Sequence, residues 1–113
     1  MLCYVAIARF TSNECSTSPM DTKTEFWRDQ AMPYVESRRA CHSRACYKPH
    51  SHPTFSIGAV DLGTSNFIGA VGGAVLIQPG TLVFVPSACV HSCNPSPDTA
   101  WSYQTVSYTH LRA

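Results

Sequence analysis

The run Thr54-Phe55-Ser56-Ile57-Gly58-Ala59-Val60 alternates small or polar residues with apolar ones. Alternation of period two marks a strand whose two faces meet different surroundings. Residues 34–38, 66–70, 74–78, 81–85, 90–93 and 101–106 read as further short strands. Turn chemistry separates them: Asp61-Leu62-Gly63-Thr64, Gly72-Gly73, Pro79-Gly80 and Asn94-Pro95-Ser96-Pro97-Asp98. Glycine supplies positive φ at such corners, and proline supplies a preset negative one. Only residues 24–30 suggest helix, a single turn anchored by Phe26 and Trp27. Met32-Pro33 would end it, because proline disfavours helix in the residue before it. About seven short strands at near-regular spacing predict an all-β fold, a small antiparallel barrel or sandwich with little helix.

A chain of 113 residues holds one domain. The expected barrel covers residues 24–105. Residues 1–23 are expected to lie outside it. A short apolar run ends at Arg9, and a polar, aperiodic stretch from Thr11 to Pro19 follows. Two readings are open for this stretch. It is a disordered tail, or it is upstream sequence translated from too early a start, with Met20-Asp21-Thr22-Lys23 as the natural beginning.

Charge narrows the partners. Eight Lys and Arg stand against seven Asp and Glu, a net charge of +1. Nucleic-acid binders draw most of their affinity from phosphate neutralisation, so this chain by itself is a poor one. Its basic cluster, Arg38, Arg39, Arg44 and Lys48, reads as solvated charge on a strand and its turn. No apolar stretch reaches the ~20 residues of a membrane helix, and the N-terminus lacks the charged leader of an export signal. The expectation is a cytoplasmic protein with no membrane partner. Six cysteines invite a disulfide reading, but disulfides need an oxidising compartment. Free, buried thiols are expected instead.

Two stretches narrow the fold further. They are Pro49-His50-Ser51-His52-Pro53-Thr54-Phe55, and the run from Pro79-Gly80-Thr81 through Pro86-Ser87-Ala88-Cys89-Val90-His91. Together they resemble the two motifs of the cupin superfamily, whose fold is a small antiparallel jelly-roll β-barrel. Gly80, Pro86 and His91 fall at that family's spacing, and Ala88 stands where the family carries a second glycine. The wider pattern over residues 24–106 resembles the N-terminal domain of AraC-type transcription regulators. That resemblance implies a barrel that binds a small-molecule effector, forms a homodimer in some members, and reaches DNA only through a following helix-turn-helix domain. It implies no enzyme activity and no cofactor. Residues 106–113 depart from the family and look like a translated sequencing-adapter tail.

The site residues follow from the motifs and from strand geometry. Residues i and i+2 of a strand share a face, so His50 and His52 can both point inward, with Thr54, Ser56 and Gly58 behind them. Phe55, Ile57 and Ala59 then pack on the other side. His91 joins from another strand, and Phe84, Trp101 and Tyr103 are candidates for stacking surface. The expected pocket is therefore His50, His52, Thr54, Ser56, His91, Trp101 and Tyr103. His42 is expected on the surface or in a turn. No metal is expected. If one binds, His50, His52 and His91 are the ligands, since neutral imidazoles suit Zn, Fe, Cu or Ni. The carboxylate that metal-binding cupins add is missing: Ser56 and Ile57 stand near its place, and the nearest acid is Asp61. Cys89, His91 and Cys93 share a face if their strand is regular, so a thiolate-rich zinc site is also conceivable. The competing functional reading is a small stand-alone metal-dependent cupin enzyme, an oxygenase or isomerase.

Overall fold

Alternating segments become strands here because each finds a neighbour to complete its ladder. A computed structural model describes residues 3–7, 15, 22–70 and 73–109. Among them are nine strands and no helix. They are β1 (Tyr4–Ile7), β2 (Lys23–Asp29), β3 (Met32–Ser43), β4 (Phe55–Leu62), β5 (Ser65–Ala70), β6 (Gly73–Ile77), β7 (Thr81–Val85), β8 (Ser92–Pro95) and β9 (Trp101–Tyr108). One sheet runs β1-β7-β4-β9-β3-β2, and the other β6-β5-β8. All pairings are antiparallel. No helix of the described residues is long and apolar enough to cross a membrane.

The inward faces of both sheets build one core. Val60, Val83, Val85, Trp101 and Tyr103 come from the larger sheet, and Phe67 and Ile77 from the smaller. The turn Gln78-Pro79-Gly80-Thr81 carries the chain from one sheet to the other. Gly80 takes φ 92°, and the Thr81 N–H donates to the Gln78 carbonyl at 3.0 Å. Proline followed by glycine suits a type II turn, whose third residue needs positive φ.

Four expectations are corrected. Residues 24–30 are strand, not helix. A lone helical turn cannot meet its nucleation cost, whereas β3 offers these residues a ladder from Lys23↔Cys41 to Asp29↔Met32. Asp29 closes that hairpin by accepting the Ala31 N–H at 2.9 Å. The fold also starts before residue 24. β1 pairs with β7, Tyr4 opposite Phe84 and Ile7 opposite Thr81, and Cys3 is buried. The barrel runs past residue 105 as well: Tyr108 lies opposite both Val35 and Phe55. Finally, four of the cysteines are not free thiols. Cys3 is bonded to Cys89 and Cys15 to Cys41, while Cys46 and Cys93 remain free. The partners lie 86 and 26 residues apart, and only the fold brings them together. The Gly72 half of the expected hairpin, the polar stretch 11–19 apart from Cys15, and residues 110–113 of the suspected tail lie outside the described residues.

Ala88 stands at the second-motif glycine position and takes φ 63°. That conformation costs an L-residue about 1–2 kcal/mol through contact of its Cβ with the following carbonyl. Ala88→Gly is expected to stabilise the barrel by about 1 kcal/mol, less any entropy glycine returns to the unfolded chain. Urea unfolding of the two proteins measures this; a destabilised variant contradicts it.

Candidate functional site

Two backbone hydrogen bonds set the site. His50 donates its N–H to the His91 carbonyl at 2.9 Å, and His91 donates its own to the His50 carbonyl at 2.9 Å. The two residues form an isolated antiparallel bridge between the loop after β3 and the segment entering β8. The Ala88 N–H donates to the His52 carbonyl at 2.8 Å and ties the same loop down once more. The histidine rings therefore cluster, with centroids 4.7 Å apart for His50 and His52, 4.8 Å for His50 and His91, and 5.5 Å for His52 and His91. His91 is buried and stacks on Phe67 at 6.1 Å, and His52 stands exposed at the mouth.

Second bonds hold two of the rings. His50 Nδ1 lies 2.7 Å from the Lys48 carbonyl, and His91 Nδ1 lies 2.9 Å from the Cys89 carbonyl. A carbonyl only accepts, so Nδ1 carries a proton in both. Burial lowers the pKa of His52, helped by His50, His91 and Arg38. Burial also lowers that of His91, against the Cys89 hydrogen bond and with His50. Both rings are neutral at pH 7.

Beneath the histidines lies a cavity of about 560 Å³. All seven expected pocket residues line it: His50, His52, Thr54, Ser56, His91, Trp101 and Tyr103. Trp101 and Tyr103 stack at 4.2 Å, and the Ser56 and Ser107 hydroxyls lie 3.0 Å apart. Val60, Phe67, Ile77, Val83 and Val85 add apolar wall. Phe84 does not line it. It lies between Val83 and Val85 on β7, opposite Ile57, and so points to the other face. His42 sits at an irregularity near the end of β3 with φ 52°, its N–H donating to Ser102 Oγ at 2.9 Å.

The charged lining was not expected. Arg28, Glu36 and Arg38 all face the cavity. Glu36 is satisfied by Arg28, whose Nε donates to Oε2 at 2.6 Å. Arg38, expected on a solvated face, lies over the rings of Phe26 and Tyr103, 5.7 Å from each centroid. Arg39 turns the other way and donates to Gln104 Oε1 at 3.0 Å. One signal existed: consecutive arginines on a strand point to opposite faces, so one of the pair had to enter a closed barrel.

By donor type, the histidines fit a divalent metal. One nitrogen from each of His50, His52 and His91 lies within 4.8 Å of the other two. Nitrogens around a tetrahedral ion at ~2.1 Å sit only about 3.4 Å apart, so the rings would have to draw in. No carboxylate joins them: Asp61 accepts from Gln104 Nε2 at 3.0 Å instead. The thiolate-rich site falls away, because Cys89 is bonded to Cys3. Cys93 lines the cavity, but burial pushes its thiol up to about 11, partly offset by the Ser65 hydroxyl at 3.2 Å.

The depressed histidine pKa values fix a pH dependence. Below the ordinary value of about 6.5, the unfolded chain takes up protons that folded His52 and His91 refuse. Stability is thus full above that pH and falls as the solution is acidified. Chemical unfolding between pH 8 and pH 5 is expected to show this decline, with a shallower slope in the His52→Gln, His91→Gln double variant. Equal slopes would contradict the assignment.

Comparison with known proteins agrees with this architecture. The profile of the family described as the AraC-like ligand binding domain matches residues 32–111. A search of curated proteins returned no match. Among solved structures, a cupin 2 domain-containing protein from Halorhodospira halophila is 9% identical with a TM-score of 0.68, over 100% of this chain and 81% of that one. A cupin 2 conserved barrel domain protein from Salinispora arenicola is 14% identical with a TM-score of 0.62, over 85% and 90%. A DMSP lyase from Ruegeria pomeroyi is 18% identical with a TM-score of 0.63, over 81% and 49%. At such identities the likeness establishes the fold, a cupin barrel.

Proposed function

Because this chain belongs to the AraC-like ligand binding domain family, we propose that it binds a small-molecule effector in the barrel cavity, as the sensing part of an AraC-type transcription regulator. The observation that carries this reading is the cavity itself. Its volume of about 560 Å³ suits a metabolite-sized ligand. Its lining combines apolar wall with a few convergent polar groups, the composition of a binding site and not of a packed core. Histidine rings, serine hydroxyls and the Trp101–Tyr103 stack are binding groups, and none of them is arranged as an activated nucleophile with its base. With a net charge of only +1, DNA contact falls to a separate helix-turn-helix domain. The reading makes dimerisation a natural route to paired DNA sites.

Gly58 tests the pocket. A Cβ there would meet Thr105 Cγ2 at 3.6 Å and the Gln104 carbonyl at 3.8 Å, ordinary contacts, so a side chain is tolerated at its root. Gly58→Phe would extend a ring into the cavity. In a thermal-shift screen of a metabolite library, compounds that raise the melting temperature of the parent chain are expected to leave Gly58→Phe unmoved. Equal shifts in both would place the ligand elsewhere.

The convergence of three imidazoles favours a second reading, a metal-dependent cupin enzyme held by His50, His52 and His91. A bound ion would supply Lewis-acid or redox chemistry there. Metal analysis of the purified chain separates the two readings. Well under one ion per chain is expected; one tightly held ion per chain, lost in His91→Ala, would favour the enzyme.

A further inference from the structure

Arg38 is the one charged group of the cavity that no described acid neutralises. Three charged side chains line this space. Arg28 and Glu36 pair with each other, so their charges cancel. Among the described residues no acid pairs with Arg38, and its Nε is buried without a hydrogen-bond partner. Asp61 does not line the cavity and takes its hydrogen bond from Gln104.

Arg38 as a whole is half-buried, but its buried Nε without an acceptor carries a desolvation cost that an added acceptor would remove. Buried charge is tolerated when it is paired and hydrogen-bonded. The Phe26 and Tyr103 rings offer Arg38 their π faces but no acceptor in the plane of its N–H groups. What is missing is a planar acceptor that matches a fork of donors, and a carboxylate has that shape. His50 and His91 already engage the Lys48 and Cys89 carbonyls through Nδ1, so neither offers that nitrogen to a ligand. Much of the remaining wall is apolar, with Val60, Phe67, Ile77 and Trp101, and the Ser56 and Ser107 hydroxyls that interrupt it lie 3.0 Å apart and bond each other.

We infer that the effector is a monocarboxylate with an apolar body, and that Arg38 receives its carboxylate. This rests on the effector-pocket reading and names the ligand class. A single arginine charge balances a single carboxylate. A phosphate ester carries close to two charges at neutral pH and would leave one of them unpaired in the cavity.

The test compares naphthalene-2-carboxylate with naphthalene-2-carboxamide, which share a body and differ in charge. Calorimetric titration of the full chain is expected to show the carboxylate binding about tenfold tighter, the scale of one charge-assisted hydrogen-bonded contact. Arg38→Gln should abolish that preference. Arg38→Lys, which keeps the charge and loses the fork, should retain part of it. Should the glutamine variant fail to fold, the lysine variant carries the comparison. Equal affinity for the two probes, a preference that survives in Arg38→Gln, or no binding of the carboxylate each overturns the inference. Tighter binding of naphthyl phosphate than of the carboxylate overturns it too. If Gly58→Phe still blocks both probes, the pocket reading stands without the carboxylate. If that variant binds both probes as the parent does, the pocket reading falls with it.

Discussion

The reciprocal pair of backbone hydrogen bonds between His50 and His91 holds the site together. Neither residue belongs to a longer strand at that point, so the contact is made by main-chain groups of two connecting segments. It satisfies two N–H groups and two carbonyls at the barrel mouth, which would otherwise be left unpaired beside an apolar cavity. It also fixes where three rings stand. His91 is wedged between this bridge and Phe67, and His50 is turned by the Lys48 carbonyl. The histidine cluster is therefore a product of backbone pairing, and the side chains inherit their positions from it.

Charge in the cavity is arranged in the same economical way. Arg28 and Glu36 close on each other at the rim. Arg38 lies over two aromatic rings, with its buried Nε lacking a hydrogen-bond partner among the described residues. Its neighbour Arg39 engages Gln104, which in turn engages Asp61. Two adjacent arginines thus live in different surroundings, one in a chain of polar groups and one facing the cavity. The pleat of β3 is the cause, since it sends successive side chains to opposite faces.

Strand periodicity made much of the barrel legible. The expected strand at residues 81–85 coincides with β7, and Ser56 and Gly58 line the cavity while Phe55 and Ile57 do not, but Ala59, expected beside those two, lines it as well. The glycine and proline corners were legible for a local reason, as Gly80 with φ 92° illustrates. Errors arose where a segment's state depended on a distant partner. Residues 24–30 carry aromatic anchors that suit a helical turn, but β3 offered them hydrogen bonds along their whole length. Phe84 reads as stacking surface, yet its place between two inward valines turned it away.

The amino-acid sequence by itself determined an all-β chain, its corners, and a histidine pair that would meet a third histidine near residue 91. These are properties of neighbours: period two, preset φ, and motif spacing act over a few residues. The tertiary structure alone decided which arginine of the Arg38-Arg39 pair faces the cavity, that β1 closes the edge beside β7, and that Cys3 meets Cys89. Those outcomes join groups far apart in the chain, up to 86 residues for the disulfide. No local pattern encodes such a partner. It is selected by the folded arrangement that leaves the fewest buried polar groups unpaired and the most apolar surface covered.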